Sequence, residues 1–441
     1  MHQFSMKNRL LVGLTLFSMF FGAGNLIFPP FLGSLAGTEM PWAIFGFGVS
    51  AVIFPILAVM TVARSGGLMT LASRVHPTFA FIFTLLIYLS IGPCLAIPRT
   101  ASTSFEMAFS PLFIGDTTPV FLGLTALTIA QAIYSVIFFA FAGFVALDPS
   151  KLTQRMGKVT SPALLLMIAA LFIVCVINPI ADYGMVLPPY DVNSAVRGFL
   201  EGYQTMDTLA ALNFGLIIAL NIEALGAKST DEVVSETVKA GLIAGFVLMV
   251  IYVALAHIGA TVGGAGRIMD NGAQTLTTAA QIQFGSWGMI ILGAIFFVAC
   301  LNCCIGLLSC CSDYFAKTFP CLSYRGWLLV FVLCSMVVSN AGLTLILKFS
   351  IPVLLAIYPV ALVLIILGLT HHLNQRFPLT YPVTVALTIV VSIAGAAADL
   401  GVDVPFISYL PFYSVGLEWI VPALIGWVIG AMSVDIHPSL K

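Results

Sequence analysis

The sequence predicts an all-α integral membrane protein with twelve transmembrane helices, of which the first and the sixth are discontinuous. Hydrophobic residues make up 60% of the 441 residues and charged residues only 8%, whereas soluble domains carry about 25% charged residues. Apolar runs of about 20 residues, the length that crosses a bilayer, recur along the whole chain. Glycine and polar residues interrupt two of these runs near their middle.

The apolar runs give twelve predicted spans. We expect the first to be a retained helix rather than a secretory signal, because the apolar run resumes after Asn25. The stretch 328–369 is too long for one span, and the residues 340–342 offer a turn that divides it. The predicted spans are 10–32, 41–63, 78–98, 119–147, 160–180, 198–222, 239–262, 286–315, 326–343, 344–370, 379–398 and 412–433.

The basic residues support this count through the positive-inside rule. With a cytoplasmic N-terminus, thirteen lysines and arginines fall in inside segments and four in outside segments, and both termini are inside. We therefore expect a multi-pass protein of the inner (cytoplasmic) cell membrane. The inside residues are Lys7, Arg9, Arg64, Arg74, Lys151, Arg155, Lys158, Lys228, Lys239, Lys317, Arg325, Arg376 and Lys441, and the outside residues are Arg99, Arg197, Arg267 and Lys348.

Charge, cysteines and motifs exclude several other classes of protein. The formal net charge is −1, so we expect membrane lipid around the chain and no nucleic-acid partner. The cysteines fall mostly in apolar runs, where they act as small hydrophobes. Cys300, Cys304 and Cys311 share one helical stripe, which fits helix packing better than a soft-metal site. No catalytic constellation or cofactor motif is found, so we expect neither an enzyme nor a cofactor, and nothing in the sequence sets the oligomeric state.

The two interrupted spans predict a binding site at membrane depth. The first contains FFGAGNLIFPPFLG (20–33), with Gly22, Gly24 and Asn25 at its middle. The sixth contains EGYQTMDTLAALNFG (201–215), with Asp207 near mid-depth. Helix breaks in a membrane persist only where protein or water satisfies the freed backbone groups. Half-helices offer N-terminal amides to anions and C-terminal carbonyls to cations.

The positions of the breaks predict an inverted repeat. One break opens each unit of five spans, and because five is odd the second unit crosses the membrane in the opposite sense. Secondary transporters are built in this way, with their site between the broken helices. Within a single transmembrane domain (1–441) we expect a first repeat at 10–180, a second at 198–370 and two extra spans at 379–433. Close helix packing at Gly22 and Gly24 is the alternative interpretation.

Asp207 is the most informative single charge in the sequence. An ionised carboxylate at the bilayer centre costs about 2.5–3.5 kcal/mol on insertion scales. Asp207 therefore needs a partner, which can be a cation, a substrate ammonium or backbone amides. A local cap on the second half of the sixth helix is the alternative role, and the two roles are compatible.

Three stretches resemble a known family. GLTLFSMFFGAGNLIFPPFLG (13–33) closely resembles the opening signature of the bacterial branched-chain amino acid carriers, the BrnQ-type or LIVCS family. GYQTMDTLAALNFG (202–215) resembles the sixth-span signature of that family, and ACLNCCIGLLSCCSDYF (299–315) its eighth-span segment. The length and the twelve spans also fit, so the resemblance covers essentially the whole chain.

The resemblance implies a symporter that imports leucine, isoleucine and valine by alternating access, driven by a cation that is usually Na⁺. Two alternatives stay open: H⁺ as the coupling ion, and another neutral amino acid or small solute as the cargo. It also implies the leucine-transporter-like fold of the amino acid–polyamine–organocation superfamily. Its unwound first span would hold the substrate carboxylate, and its sixth-span signature would complete the substrate site. These substrate residues are Gly22, Ala23, Gly24, Asn25, Thr205, Asp207 and Thr208.

The resemblance further implies a sodium site between carbonyls of the first span, near Ser18 and Phe21, and the eighth span. Members of the family usually carry two threonines where this chain has Asn302 and Cys303. An amide oxygen still serves as a hard ligand for Na⁺, but a thiol is a poor one. Either the coupling is altered, or Ser309 or backbone carbonyls replace the missing hydroxyls.

Overall fold

The computed structural model describes residues 5–110, 119–121, 124–148, 161–227 and 229–433. The regular secondary structure in these residues is helical apart from a short antiparallel hairpin, β1 (Pro119–Phe121) and β2 (Leu124–Thr125). The helices are α1 Met6–Phe20, α2 Ala23–Ala36, α3 Met40–Gly48, α4 Phe54–Ser65, α5 Leu68–Ser73, α6 Pro77–Leu89, α7 Ala96–Ala108, α8 Ala126–Ala146, α9 Ser161–Ile177, α10 Ser194–Gly202, α11 Asp207–Ala224, α12 Thr230–Gly264, α13 Gly272–Phe284, α14 Ser286–Thr318, α15 Tyr324–Ser339, α16 Leu343–Leu369, α17 His371–Asn374, α18 Thr380–Asp399 and α19 Ile420–Ala431.

Among the described residues, seven helical segments are long and apolar enough to cross a membrane. Three shorter apolar helices accompany them, at Pro162–Ile177, Tyr324–Ser339 and Ile420–Ala431. Most of these segments also expose large apolar side chains on one side, as expected of helices that face lipid. The seven long segments are Ala23–Ser65, Pro77–Ala108, Ala126–Ala146, Thr230–Gly264, Ser286–Thr318, Leu343–Leu369 and Thr380–Asp399.

Three predicted span boundaries are wrong. The span predicted at 119–147 begins as the β1–β2 hairpin, and its helix starts only at Ala126. The span predicted at 412–433 starts as a helix at Ile420, because Phe412 and Gly416 adopt left-handed backbone conformations that interrupt a helix. The third span runs on to Ala108 rather than ending at 98. Hydropathy measures polarity and not conformation, so it locates such ends poorly.

The second and third spans each bend at a wide π-helical turn. The turns are Val49–Ile53, which leads into Pro55, and Ser90–Cys94, which contains Pro93. Proline removes a backbone donor and displaces the preceding turn, and such a mismatch is absorbed by π geometry. The second bend redirects the chain so that α7 enters the interior of the bundle, where most of its side chains are buried.

Two interior segments leave helical geometry at membrane depth. Between α1 and α2, Phe21 and Gly22 are extended. Between α10 and α11 a 3₁₀ turn, Tyr203–Thr205, is followed by Met206 in the left-handed conformation (φ 64°). A non-glycine residue held at positive φ costs of order 1–3 kcal/mol, and such strain gathers at functional sites.

The helices on either side of these two segments pack on α12, α3 and α4. Both α1 and α2 lie against α12, while α10 lies against α3 and α11 against α4. The α2–α12 contact is made through backbone. A Cβ on Gly33 would lie 2.0 Å from the carbonyl oxygen of Ala256, and one on Gly259 would lie 1.9 Å from that of Pro30. Only glycine allows such an approach, so α2 has one fixed position on α12.

Residues predicted to be outside and residues predicted to be inside line separate cavities. Asp191, Asp270 and Lys348, from segments predicted to be outside, line one cavity together. Arg64, Arg74, Lys239 and His371, from segments predicted to be inside, line another. Lys151, Arg155, Lys158, Lys228 and Lys441 lie outside the described residues.

Among the basic residues that the structure describes, Arg99 is the one whose predicted place is wrong. It is not in an outside connection but inside α7, where only 3% of its surface is exposed. Of the three other predicted outside residues, Arg267 and Lys348 are exposed, and Arg197 is partly exposed near the start of α10.

Candidate functional site

A buried polar network joins the two breaks. The Asn25 side-chain amide, in the first turn of α2, donates to Oδ2 of Asp207 at 2.5 Å and to the hydroxyl of Tyr252. The Tyr252 hydroxyl also donates to Asp207 Oδ2, at 3.3 Å. All three side chains are at most 2% exposed. Asn25 therefore ties the start of α2 to the start of α11, and α12 supports the contact through Tyr252.

Asp207 is the first residue of α11 and not its N-cap, which is Met206. Its carboxyl makes no capping bond to α11 and instead accepts from side chains of α2 and α12. The interpretation of Asp207 as a local cap is therefore wrong. A negative side chain in the first turn is nevertheless favourable, since that end of a helix carries a partial positive charge.

Gly22, Ala23 and Gly24 form the start of α2. The Gly22 amide is bonded to Oδ1 of Asn25 at 3.0 Å, so the asparagine side chain closes the break on one side. The amides of the first helical turn have no partner within their own helix and are therefore suited to an anion. Gly22 lies against Cys303 of α14, where a Cβ would be 2.8 Å from the cysteine sulfur.

Thr205 and Thr208 stabilise the second break. The Thr205 hydroxyl donates to the carbonyl of Gly202 at 2.9 Å and accepts from the amide of Asp207 at 3.4 Å. The Thr208 hydroxyl donates to the carbonyl of Ser50 at 3.1 Å, and its amide donates to the Tyr358 hydroxyl at 3.3 Å. Thr205 borders the cavity described next, whereas Thr208 is fully buried against its neighbours.

The two breaks enclose a narrow cavity of about 20 Å³. This volume holds about one water, so an amino acid fits only if the surrounding helices move apart. Apolar side chains of α1, α7, α11 and α14 complete the wall. The lining includes six residues of the predicted site: Gly22, Ala23, Gly24, Asn25, Thr205 and Asp207, together with Cys303 from the predicted cation site and Arg99.

Arg99 reaches this cavity from α7. Its guanidinium donates to the carbonyl of Gln204 at 2.7 Å and more weakly to that of Thr205 at 3.4 Å. These carbonyls belong to the C-terminal end of the first half of the sixth span, which carries a partial negative charge. The guanidinium also lies over the ring of Phe28, 5.8 Å from its centroid. Arg99 thus holds the broken segment in place while facing the start of α2.

The predicted cation residues lie beside the cavity, where α1 meets α14. The Asn302 side-chain amide donates to the hydroxyl of Ser18 at 3.0 Å, and both residues are buried. Phe21 follows the C-terminal end of α1, where carbonyls lack helical partners. Amide, hydroxyl and carbonyl oxygens are the ligands that Na⁺ prefers, so Ser18, Phe21 and Asn302 fit the ion. The Cys303 thiol points instead toward Gly22 and the cavity.

Two other groups of α14, Ser309 and Cys311, bond within the helix or pack on a neighbouring segment. The Ser309 hydroxyl donates to the carbonyl of Ile305 at 2.8 Å, and it lies about 10 Å along the helix from Asn302. Cys311 contacts the carbonyl of Tyr88 and fills the space beside Gly92. In the described part of the chain, no group of His, Cys, Asp or Glu is placed to hold a metal.

Access to the cavity differs on the two faces. Toward the face of Asp191 and Lys348, a cavity of about 960 Å³ reaches down to Phe28 and Gln204, two of the residues that Arg99 contacts. Toward the other face, α1 is fastened to α12. Arg9 donates to both carboxylate oxygens of Glu236, at 2.6 and 2.9 Å, and Lys239 donates to the same carboxylate at 2.8 Å.

Sequence analysis missed three residues of this site: Arg99, Tyr252 and Tyr358. Arg99 was predicted to follow a span that ends at 98, because the stretch after it, TASTSFEM (100–107), is rich in hydroxyl residues and includes Glu106. Tyr252 and Tyr358 lie within uniformly apolar runs, where a single hydroxyl does not change the hydropathy. Only the tertiary packing shows that both hydroxyls point at the sixth-span break.

Comparisons with known sequences agree on one family. The family model described as branched-chain amino acid transport protein matches residues 5–437. The branched-chain amino acid permease BraB of Bacillus subtilis is 38% identical over 445 residues, covering 99% of this chain and 98% of that protein. The permease BrnQ of the same organism is also 38% identical, over 428 residues and 96% and 95% of the two chains.

Solved structures share the fold at low sequence identity. MhsT in complex with L-phenylalanine superposes with a TM-score of 0.60 and 15% identity, covering 98% of both chains. A Na⁺-coupled sialic acid symporter gives a TM-score of 0.61 at 13% identity, over 98% of this chain and 91% of that one. Mhp1, a nucleobase-cation-symport-1 family transporter, gives 0.61 at 13% identity, over 96% and 91%. These neighbours have the leucine-transporter fold.

Proposed function

Because the chain belongs to the branched-chain amino acid transport protein family, we propose that it is a secondary symporter that imports leucine, isoleucine and valine with Na⁺ by alternating access. Its family consists of permeases, so the prediction that the chain is not an enzyme is confirmed, as is the resemblance noted from its motifs. The geometry that carries the proposal is the cavity between two helix breaks, lined by Asn25 and Asp207.

We further propose twelve crossings and a five-plus-five inverted repeat. With α1–α2 and α10–α11 taken as broken spans one and six, the helices give twelve crossings. The packing supports the repeat: span one packs on span seven (α12), and span six packs on span two (α3 and α4). Exchanging the two repeats turns each of these contacts into the other. Spans eight and three (α14 and α7) also pack on each other, as the same exchange requires.

In the proposed substrate site, the carboxylate docks at the start of α2, beside Gly22 and on the amides of Ala23, Gly24 and Asn25, since the Gly22 amide is already bonded to Asn25 Oδ1. Asp207 faces the ammonium group or the cation, with Thr205 and Thr208 holding the second break. An apolar wall then receives the aliphatic side chain. Such a wall discriminates by only about 1–3 kcal/mol per methylene, which fits a carrier for all three branched-chain amino acids.

The proposed cation site lies between α1 and α14, with Ser18, the carbonyl end near Phe21 and Asn302 as ligands. The Ser18–Asn302 contact supports this assignment. Cys303 lies beside this site and borders the substrate cavity. Neutral oxygen ligands suit Na⁺, and this site presents no carboxylate of its own to take up a proton in the same place.

Alternating access in this proposal uses the two faces described above. The 960 Å³ cavity is the outer vestibule, and the Arg9–Glu236 ion pair closes the cytoplasmic side. Both termini are then cytoplasmic. Opening to the inside requires α1 to leave α12 and this ion pair to break.

Gradient-driven uptake in proteoliposomes tests the proposal. We expect labelled leucine to accumulate when an inward Na⁺ gradient is imposed, and unlabelled isoleucine and valine to compete. Accumulation driven by a proton gradient without Na⁺ would make the coupling ion H⁺. Competition by another neutral amino acid or small solute instead would change the cargo. Equilibration without accumulation or saturation would refute symport.

A further inference from the structure

Arg99 is a buried arginine that no carboxylate contacts directly, although Asp207 lines the same cavity. Only 3% of its surface is exposed, and no ion pair to it is found among the described residues. Its Nε has no hydrogen-bond partner. Buried charges are normally paired, because an uncompensated charge in an apolar interior costs several kcal/mol.

The two backbone carbonyls compensate for only part of this charge. Gln204 and Thr205 occupy two N–H groups of the guanidinium, and arginine offers more donors than these. A helix end supplies about half an elementary charge. The unused donors and the remaining charge belong to a side chain that lines the cavity between the breaks.

The guanidinium also lies beside the proposed carboxylate position. A Cβ on Gly24 would be 2.9 Å from an Arg99 terminal nitrogen and 3.0 Å from the Cα of Thr205. Glycine at this position therefore lets α2 approach the arginine. An anion at the start of α2 would be within reach of both the first-turn amides and the guanidinium.

We propose that Arg99 binds the carboxylate of the substrate, opposite Asp207, so that the site selects zwitterionic α-amino acids. This inference rests on the proposed function and specifies how its substrate is recognised. The cavity then has one fixed positive and one fixed negative side chain, in walls contributed by different helices. An α-amino acid carries both complementary charges on one carbon. Arginine and carboxylate form bidentate, charge-assisted hydrogen bonds, which suits a desolvated site.

Ligands that lack either charge leave a buried group unpaired. L-Leucinamide keeps the ammonium group but presents a neutral amide to Arg99. 4-Methyl-2-hydroxypentanoate keeps the carboxylate but presents nothing cationic to Asp207. Sites built around polar groups reject such analogues by as much as about 10⁴-fold. We expect wild-type protein to bind leucine at least a hundredfold more tightly than either analogue.

The competing explanation is that Arg99 only clamps the carbonyls of Gln204 and Thr205. The ratio of leucinamide to leucine dissociation constants separates the two roles. Loss of a clamp would weaken both ligands by the same factor and leave the ratio unchanged. Loss of a carboxylate ligand weakens leucine alone and brings the ratio close to one.

The experiment measures that ratio with purified full-length protein in nanodiscs, for the wild type, Arg99→Gln and Arg99→Lys. We expect the ratio to fall at least thirtyfold in Arg99→Gln and less in Arg99→Lys, because lysine keeps the charge. Arg99→Lys also provides the test if the glutamine variant does not fold. Arg267→Gln removes an exposed arginine and is the matched control, with an unchanged ratio. An unchanged ratio in a folded Arg99 variant overturns the inference.

Failure of the proposed function gives a different result. If wild-type protein binds a different amino acid but not leucine, the cargo is wrong, and the same acid–amide ratio for that amino acid still decides the role of Arg99. If wild-type protein binds an amino acid and its amide equally well, Arg99 is not a carboxylate ligand. If it binds no amino acid at all, both proposals are refuted.

Discussion

Replacing Asn25 by aspartate should disrupt the contact between the two helix breaks. Asn25 Nδ2 lies 2.5 Å from Oδ2 of Asp207, so Asn25→Asp places two carboxyl groups against each other. Two unit charges about 4 Å apart repel by about 4 kcal/mol at an effective dielectric constant of about 20. A proton shared between the two carboxyl groups relieves the repulsion but not the loss of the amide that donates to both Asp207 and Tyr252, so about 4 kcal/mol is the penalty for the fully ionised pair.

This penalty corresponds to roughly a thousandfold loss of the binding-competent state. We therefore expect Asn25→Asp to abolish measurable leucine binding by scintillation proximity and to lower the melting temperature. The exchange variant Asn25→Asp/Asp207→Asn restores one amide and one carboxyl in contact. It should recover at least 2 kcal/mol of stability over the single variant, which is a large coupling for two residues in contact.

The control is Tyr252→Phe, which removes only one hydroxyl from the network and should cost about 1 kcal/mol. Equal melting temperatures for Asn25→Asp and the exchange variant would give a coupling near zero. That result would mean that Asn25 and Asp207 are not in contact in the folded protein, and the structure of the site would be wrong.

Three further predictions concern helices α1, α12 and α14. Gly22→Ala brings a Cβ within 2.8 Å of the Cys303 sulfur, so it should lower the folding stability by about 1–3 kcal/mol and weaken leucine binding. If adding Cys303→Gly does not restore binding, the contact is contradicted. Glu236→Gln breaks the ion pair with Arg9. In a variant whose single remaining cysteine is Cys303, this change should speed alkylation of Cys303 from the cytoplasmic side. An unchanged rate would mean that this ion pair does not close the cytoplasmic side. Asn302→Ala should raise the Na⁺ concentration for half-maximal leucine uptake at least tenfold, whereas Asn302→Thr should not, and an unaltered Na⁺ dependence in Asn302→Ala would remove this residue from the cation site.

Local sequence chemistry located much of the candidate site, because helix breaks in a membrane have few possible causes. Gly22 and Asn25 lie at the start of α2, and Asp207 lies at the start of α11. An acidic residue and a glycine-rich interruption are costly in lipid, so each is informative without a structure. The pairing of Ser18 with Asn302 was reached differently, through resemblance to a family.

Arg99 and Tyr252 could not be predicted in the same way. A hydropathy window treats any arginine as the edge of a span, because it counts the charge and not its partners. The charge of Arg99 is tolerated inside because the carbonyls of Gln204 and Thr205 accept hydrogen bonds from it. These residues lie about a hundred positions further along the sequence, so a local window does not include them. Tyr252 is one hydroxyl in an apolar helix, and its role depends on the close packing of α2 on α12.

The two breaks present the same partial charges at their helix ends but face different side chains. Each presents a carbonyl end, which is partly negative, and an amide end, which is partly positive. At the second break both ends face fixed side chains of opposite sign: Arg99 binds the carbonyl end, and Asp207 is the first residue at the amide end. At the first break the side chains of the break itself are neutral, since they are Asn25 and Ser18, and Asp207 contacts its amide end only through the Asn25 side chain. In a symporter, the ions that compensate the first break are the ones that must come and go. We therefore propose that the second break provides the fixed charges of the site, and that the first break receives the coupling cation at its carbonyl end and the substrate carboxylate at its amide end.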